Sequence, residues 1–196
     1  MAHGAGAPKN SKWMNLLANL IEVKSDGRIQ TKRFNFSYME RSIRENKRIP
    51  PNKMPVLIKE WEKQISKYQR NKILFIGGKS MGARMATLLD FNHRFSHIKG
   101  IIAFGFPFHP IGKAPGDRIS HLSDINIPCL FNHGQRDTMG LPEEIRQYKL
   151  SKKIQIKYID DGNHDLSPRK KTGITLEDNL TQAARNTVDF IYKNMD

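Results

Sequence analysis

The feature that most constrains this chain is a strand-like stretch, Lys72–Ile76, running without interruption into Gly77-Gly78-Lys79-Ser80-Met81-Gly82 and then into a helical pattern. Gly78-Lys79-Ser80-Met81-Gly82 fits G-x-S-x-G in a strand–turn–helix setting. The spacing has a steric cause. A serine on so tight a turn sits in a strained backbone conformation, and its flanking residues must be tiny for strand and helix to pass. The turn lifts the Ser80 hydroxyl above the sheet and sets the Met81 backbone N–H beside it at a helix N-terminus, where it can stabilise a developing oxyanion. The Lys79 side chain is expected to leave the reacting face and to pack structurally.

A rival reading uses the same residues. Gly78-Lys79-Ser80 also ends the phosphate-loop pattern G-x-x-x-x-G-K-[ST], but that pattern needs a glycine at position 73, where Ile73 stands inside the strand. No loop length is left to wrap a phosphate.

A serine hydroxyl is a weak nucleophile and needs a base that a carboxylate orients. The expected chain order is nucleophile, acid, base. After the apolar run Ile127–Asn132 comes Gly134-Gln135-Arg136-Asp137, and after Ile154–Ile159 comes Gly162-Asn163-His164. Ser80, Asp137 and His164 each follow the C-terminal end of a candidate strand, so all three can converge on one rim. The neighbours carry less. Asp160, Asp161 and Asp165 flank His164 either as solvated loop acids or as groups that help hold it; Asp165 competes with Asp137 as orienter, but its immediate adjacency to His164 makes that geometry awkward, and His133 is expected to brace the Asp137 turn. His93 and His97 have i, i+4 spacing, but Arg94 stands where a zinc-protease motif needs Glu, so no metal site is expected.

Segments of strand character alternate with segments of helical period, which argues for a parallel sheet with helices on its faces. The further strands are Arg33–Phe36 and Ile98–Phe104. Helical patterns run through Trp13–Ile21, Leu57–Tyr68, Met81–Leu89 and a short segment opened by Pro142, and Thr175 with Asp178 forms a capping box before a last helix. At 196 residues, without repeats or linkers, the chain reads as one domain over residues 1–196. The Pro- and Gly-rich stretch Phe106–Gly116 follows a strand, and Phe108, His109 and Lys113 within it are candidates for a pocket wall.

Composition excludes other classes. An apolar fraction of 38% with 27% charged residues suits a globular protein, and no run is long enough to span a membrane. The single cysteine, Cys129, and the absence of a visible signal peptide point to a cytoplasmic setting. The net charge of +14 is scattered; its denser groups, Arg41–Arg48 and Arg169–Lys171, carry no interleaved aromatics, so a solvated surface is expected rather than specific nucleic-acid binding.

With these motifs in place, the chain resembles the α/β-hydrolases, in particular the dienelactone-hydrolase-like branch that includes the testis-expressed proteins and the hydrolase-like domain of the non-specific-lethal chromatin complex subunit. The resemblance rests on His3-Gly4-Ala5-Gly6-Ala7, Phe34–Met39, Gly77–Arg84, Gly105–Pro110, His133–Asp137, Asp161–His164 and Pro168-Arg169-Lys170, and covers nearly the whole chain. It implies an α/β-hydrolase fold and makes His3-Gly4-Ala5-Gly6 the loop after a central strand, with a backbone N–H near Ala5 as a second oxyanion donor beside Met81. Members of this branch have a strand immediately before that His-Gly; here only Met1 and Ala2 precede it. The expectation is therefore a fold lacking its N-terminal strands, with unpaired backbone groups on neighbouring strands, weak stability and poor activity.

The function expected is hydrolysis of an ester, thioester or related acyl bond of a small molecule through Ser80, Asp137 and His164, with Met81 and Ala5 as oxyanion donors, Phe108 and His109 at the substrate, and no cofactor. The alternative is a non-catalytic scaffold of the same fold.

Overall fold

The computed structural model describes residues 1–68, 73–89, 91, 94–95 and 97–195. Lys72, taken above as the start of the elbow strand, and His93 lie outside the described residues. Among the described residues, four strands form one sheet in the order β1-β2-β3-β4: β1 (Leu74–Lys79), β2 (Ile98–Phe104), β3 (Cys129–Gly134) and β4 (Ile154–Ile159). Every neighbouring pair is parallel.

A parallel sheet buries both faces, and the two-residue side-chain period divides its residues between two cores. Ile101, Ala103, Cys129 and Phe131 enter the core packed by helices α2 (Ser37–Arg44), α3 (Met54–Ile65) and α4 (Met81–Ala86). Ile102, Phe104 and Leu130 enter the opposite core, built with α1 (Lys12–Lys24) and the last helix, α6 (Leu176–Lys193). The short helix α5 (Pro142–Ile145) follows β3 and has Pro142 in its first turn. Cys129 is fully buried and behaves as a small apolar residue, its thiol pushed up by burial.

Local signals account for the helix ends. The Thr175 hydroxyl accepts from the Asp178 N–H at 3.1 Å, and the Asp178 carboxylate accepts from the Thr175 N–H at 2.9 Å, a reciprocal cap contributing about 1 kcal/mol. In α1, Ser11 caps the Met14 N–H at 3.3 Å. Helix α2 escapes sequence reading because no side chain caps it and only two of its residues, Tyr38 and Met39, are buried.

Two elements differ from expectation. The elbow strand runs three residues further than Ile76, through Lys79, and the acid's strand runs through His133 to Gly134, bringing both strand ends up to the rim. Arg33–Phe36 is not a strand: it is reduced to one parallel bridge, Phe34 with Ala2. Ala2 bridges Gly78 on its other side, its N–H donating to Gly77 O at 2.9 Å and its carbonyl accepting from Lys79 N at 3.1 Å. The neighbours of the His-Gly loop are therefore paired at this level. A partner of one residue allows a ladder of one residue, so Phe34 bridges and its neighbours do not.

Candidate active site

Ser80 occupies the turn between β1 and α4 with φ 48° and ψ −115°, a left-handed conformation costly for any residue with a side chain. Its neighbours explain how the turn is held. The Ser80 N–H donates to Phe104 O of β2 at 3.0 Å. A β-carbon at Gly78 would stand 2.3 Å from Ala2 O, and one at Gly82 would stand 2.6 Å from His3 O, so both glycines are required by close backbone approach. From the far face, the Trp61 indole N–H donates to Gly82 O at 3.0 Å.

The structure brings Ser80, Asp137 and His164 together. His164 Nε2 lies 2.8 Å from Ser80 Oγ, and His164 Nδ1 lies 2.7 Å from Asp137 Oδ2. A carboxylate only accepts, so Nδ1 carries the proton and the Nε2 lone pair faces the serine hydroxyl. Asp137 is fully buried, and burial by itself would raise its carboxyl. The hydrogen bond from His164, the nearby His133 ring and the Met139 N–H at 2.9 Å outweigh this, holding the acid below its ordinary value.

The loops that carry acid and base lock into each other. The Arg136 N–H donates to Gly162 O at 2.8 Å, and a β-carbon at Gly134 would stand 2.3 Å from both Gly162 O and Asn163 O. Asn163 Oδ1 accepts from the N–H groups of Asp165 and Ser167 at 2.8 and 3.0 Å, closing the turn that presents His164. His133 donates from Nε2 to Gly140 O at 2.8 Å and lies 3.6 Å from Asp137 Oδ2, bracing the acid turn. Lys79 leaves the reacting face and pairs with Asp165, with its ammonium 5.6 Å from the Trp13 ring centre. Trp13 in turn donates to Asp165 O at 2.8 Å. The elbow, the base loop and α1 are thereby tied at one point that sequence reading left as separate polar residues.

Met81 opens α4, directly after the serine. The His3-Gly4-Ala5 loop flanks the opposite side, where a β-carbon on Gly4 would lie 3.6 Å from Ser80 Cβ. That loop is anchored. His3 is fully buried, donates from Nδ1 to Gly4 O at 2.5 Å, and accepts at Nε2 from the Phe36 N–H at 3.1 Å. The Tyr38 hydroxyl donates to Ala5 O at 3.0 Å. Burial lowers the His3 pKa against the raising influence of Gly4 O, Glu40 and Glu60, which suits the neutral tautomer these bonds require.

The pocket-wall residues need correction. Phe108 has no exposed surface; it packs edge-on against Phe106 and His133, with ring centres 5.0 and 5.3 Å away. Apolar area with no solvent contact is core, not wall. His109 is held by Pro110 O at 3.0 Å and Glu144 at 3.2 Å, and lines a cavity of about 310 Å³ together with Lys113, Thr138 and Tyr148. Arg169 is also engaged, donating from its backbone N–H and Nε to Asp161 at 2.6 and 2.8 Å. Among the described residues, no three His, Cys, Asp or Glu side chains converge to hold a metal ion, and no helix is long and apolar enough to cross a membrane.

Known proteins agree with this geometry at the level of fold. Curated proteins yield no match. The esterase domain of a Rhodothermus marinus protein is similar in structure, with TM-score 0.66 and 12% identity over 100% of this chain and 86% of that one. An alpha-beta serine hydrolase homologue from Coxiella burnetii gives TM-score 0.66 and 14% identity over 95% of this chain and 83% of that one. Est1E from Butyrivibrio proteoclasticus gives TM-score 0.61 and 14% identity, covering 98% and 86%. The family described as alpha/beta hydrolase domain matches residues 1–192, and the chain belongs to it.

Proposed function

We propose that the protein is a serine hydrolase that cleaves an ester, thioester or related acyl bond of a small molecule through a covalent acyl-enzyme. One observation carries the reading: Ser80 Oγ, His164 and the buried Asp137 form a continuous hydrogen-bonded relay of 2.8 and 2.7 Å on a strained elbow. Ser80 Oγ attacks the substrate carbonyl carbon as His164 Nε2 takes its proton, while Asp137 stabilises the imidazolium and holds the ring. The oxyanion accepts hydrogen bonds from the backbone N–H groups of Met81 and Ala5. Collapse breaks the acyl bond, and His164 returns the proton to the departing alcohol or thiol. A water activated by the same ring then releases the acid.

A fluorophosphonate probe tests this on the full chain. The expected result is stoichiometric labelling that disappears in Ser80→Ala while its melting temperature stays unchanged. Folded wild-type protein that does not label, and that hydrolyses no short-chain aryl ester or thioester, would overturn the enzyme reading in favour of a non-catalytic scaffold.

A further inference from the structure

The base loop is fastened from behind by a residue outside every motif. Asn179, early in α6, is buried, and its side-chain nitrogen donates to Asp160 O at 3.0 Å and to Leu166 O at 2.8 Å. Both partners are carbonyl oxygens, which only accept. The amide is therefore turned with its NH2 toward the loop, and both of its hydrogens are used. His164 stands between these two residues in the chain, so one amide grips both ends of the segment that presents the base.

The grip bears on His164 and not on the helix alone. Leu166 is fully buried with φ 61°, a left-handed conformation that a leucine keeps only where its surroundings hold it. Asn179 holds its carbonyl, and its N–H donates to Asn163 O at 2.8 Å. On the sheet side Gly105 follows β2 with φ 61°, and a β-carbon there would stand 2.3 Å from His164 O. The backbone of His164 is thus set between the end of a strand and a loop tied to α6, whose Leu180, Ala183 and Ala184 are fully buried. Among the described residues, the His164 ring bonds Ser80 and Asp137 and nothing else. Where that ring sits follows from where this backbone sits.

We propose that Asn179 is a positioning residue: by fixing the carbonyls of Asp160 and Leu166, it sets the place of His164 between Asp137 and the Ser80 hydroxyl. It touches neither the reacting atoms nor a substrate and acts through the backbone of the base loop. Its effect on rate rests on the serine-hydrolase reading; its effect on the His164–Asp137 bond does not. A shift of about 1 Å in a catalytic group costs up to about a hundredfold in rate, whereas a purely structural bond costs stability.

Three variants of the full chain test this. Asn179→Leu fills a similar volume without donors, Asn179→Ser keeps one donor on a shorter stem, and Val188→Ala removes core volume about 13 Å further along the same helix. Asn179→Leu should lower kcat on a short-chain aryl ester by about tenfold to a hundredfold, with KM changed less than about twofold, and Asn179→Ser should fall in between. The NMR signal of the Nδ1 proton that His164 shares with Asp137 should shift or broaden in both, at a temperature where they are folded. Val188→Ala should lose about 5 °C in Tm while its kcat and that signal stay as in wild type. If Asn179→Leu does not fold, Asn179→Ser carries both readouts. Wild-type kcat and an unmoved proton signal in the folded Asn179 variants would overturn the proposal, as would equal changes in Val188→Ala. A wild type that neither labels nor hydrolyses sinks the enzyme reading instead, and the proton signal then decides whether Asn179 places the ring.

Discussion

The two flanks of Ser80 are built differently. On the acid and base side the sheet is thick: β1, β2, β3 and β4 pair along their lengths, with six register positions between β3 and β4 alone, and the turns bearing Asp137 and His164 interlock through backbone bonds. On the oxyanion side the sheet narrows to Ala2, one residue that bridges Phe34 and Gly78. The first flank holds its groups by extended pairing, the second by a few close contacts: His3 to Gly4 O and Phe36, Tyr38 to Ala5 O, and glycines that admit the Ala2 and His3 backbones. A position fixed by many weak bonds tolerates the loss of one. A position fixed by contact distance does not.

The sharpest test lies on the thick flank. Asp137→Asn should leave the fold intact but remove the charge that holds the His164 tautomer, lowering kcat/KM by about 10⁴-fold with only a modest fall in Tm. On the thin flank, stability and activity should fall together. In Gly78→Ala the added carbon meets Ala2 O, and the expected cost is about 3 kcal/mol, a drop in Tm of roughly 6–12 °C, with fluorophosphonate labelling slowed in the protein that still folds. Thermal melts beside labelling rates separate the two patterns, and a Gly78→Ala protein as stable as wild type would break the comparison.

Acid probes both flanks at once. Burial lowers the pKa of His3 on one flank and His133 on the other, and it takes His121, beneath the elbow helix, down to about 4. Each binds protons more readily unfolded than folded. Their stabilising contribution is thus present above the ordinary 6.5 and is lost as pH falls through the window below it. Tm should decline from about pH 6.5 downward, and His121→Gln should shallow that decline. Asp137 acts lower: its depressed pKa gives stability that is complete above 3.8 and is lost as pH falls further. The smallest effect belongs to Lys79→Met. Its contact with the half-exposed Asp165 is worth at most about 1 kcal/mol, and activity should fall roughly two- to fivefold through looser placement of His164.

The thick flank was the legible one. Strands that end in Gly-x-Ser, in Gly-Gln-Arg-Asp and in Gly-Asn-His announce themselves, because apolar runs and turn residues are local signals. What stayed hidden depends on approach between distant segments. Nothing local says that Asn163 closes the base turn, that Lys79 reaches Asp165, or that Phe108 turns inward to the core while His109 faces a cavity. The thin flank offers no local signal of its anchor, since two residues cannot look like a strand. Its pairing comes from Gly78 and Gly82, whose missing side chains admit a backbone from the far end of the sequence.

The chain has two tryptophans, and each hydrogen-bonds beside Ser80 from opposite faces of the sheet: Trp61 to the carbonyl of Gly82, Trp13 to the carbonyl of the residue after His164. Indole emission responds to such bonds and to the Lys79 charge above Trp13. The protein therefore carries its own optical reporters, one bonded to helix α4 and one bonded to the His164 loop. Single-tryptophan versions would let changes around Ser80 be watched from either side without a label.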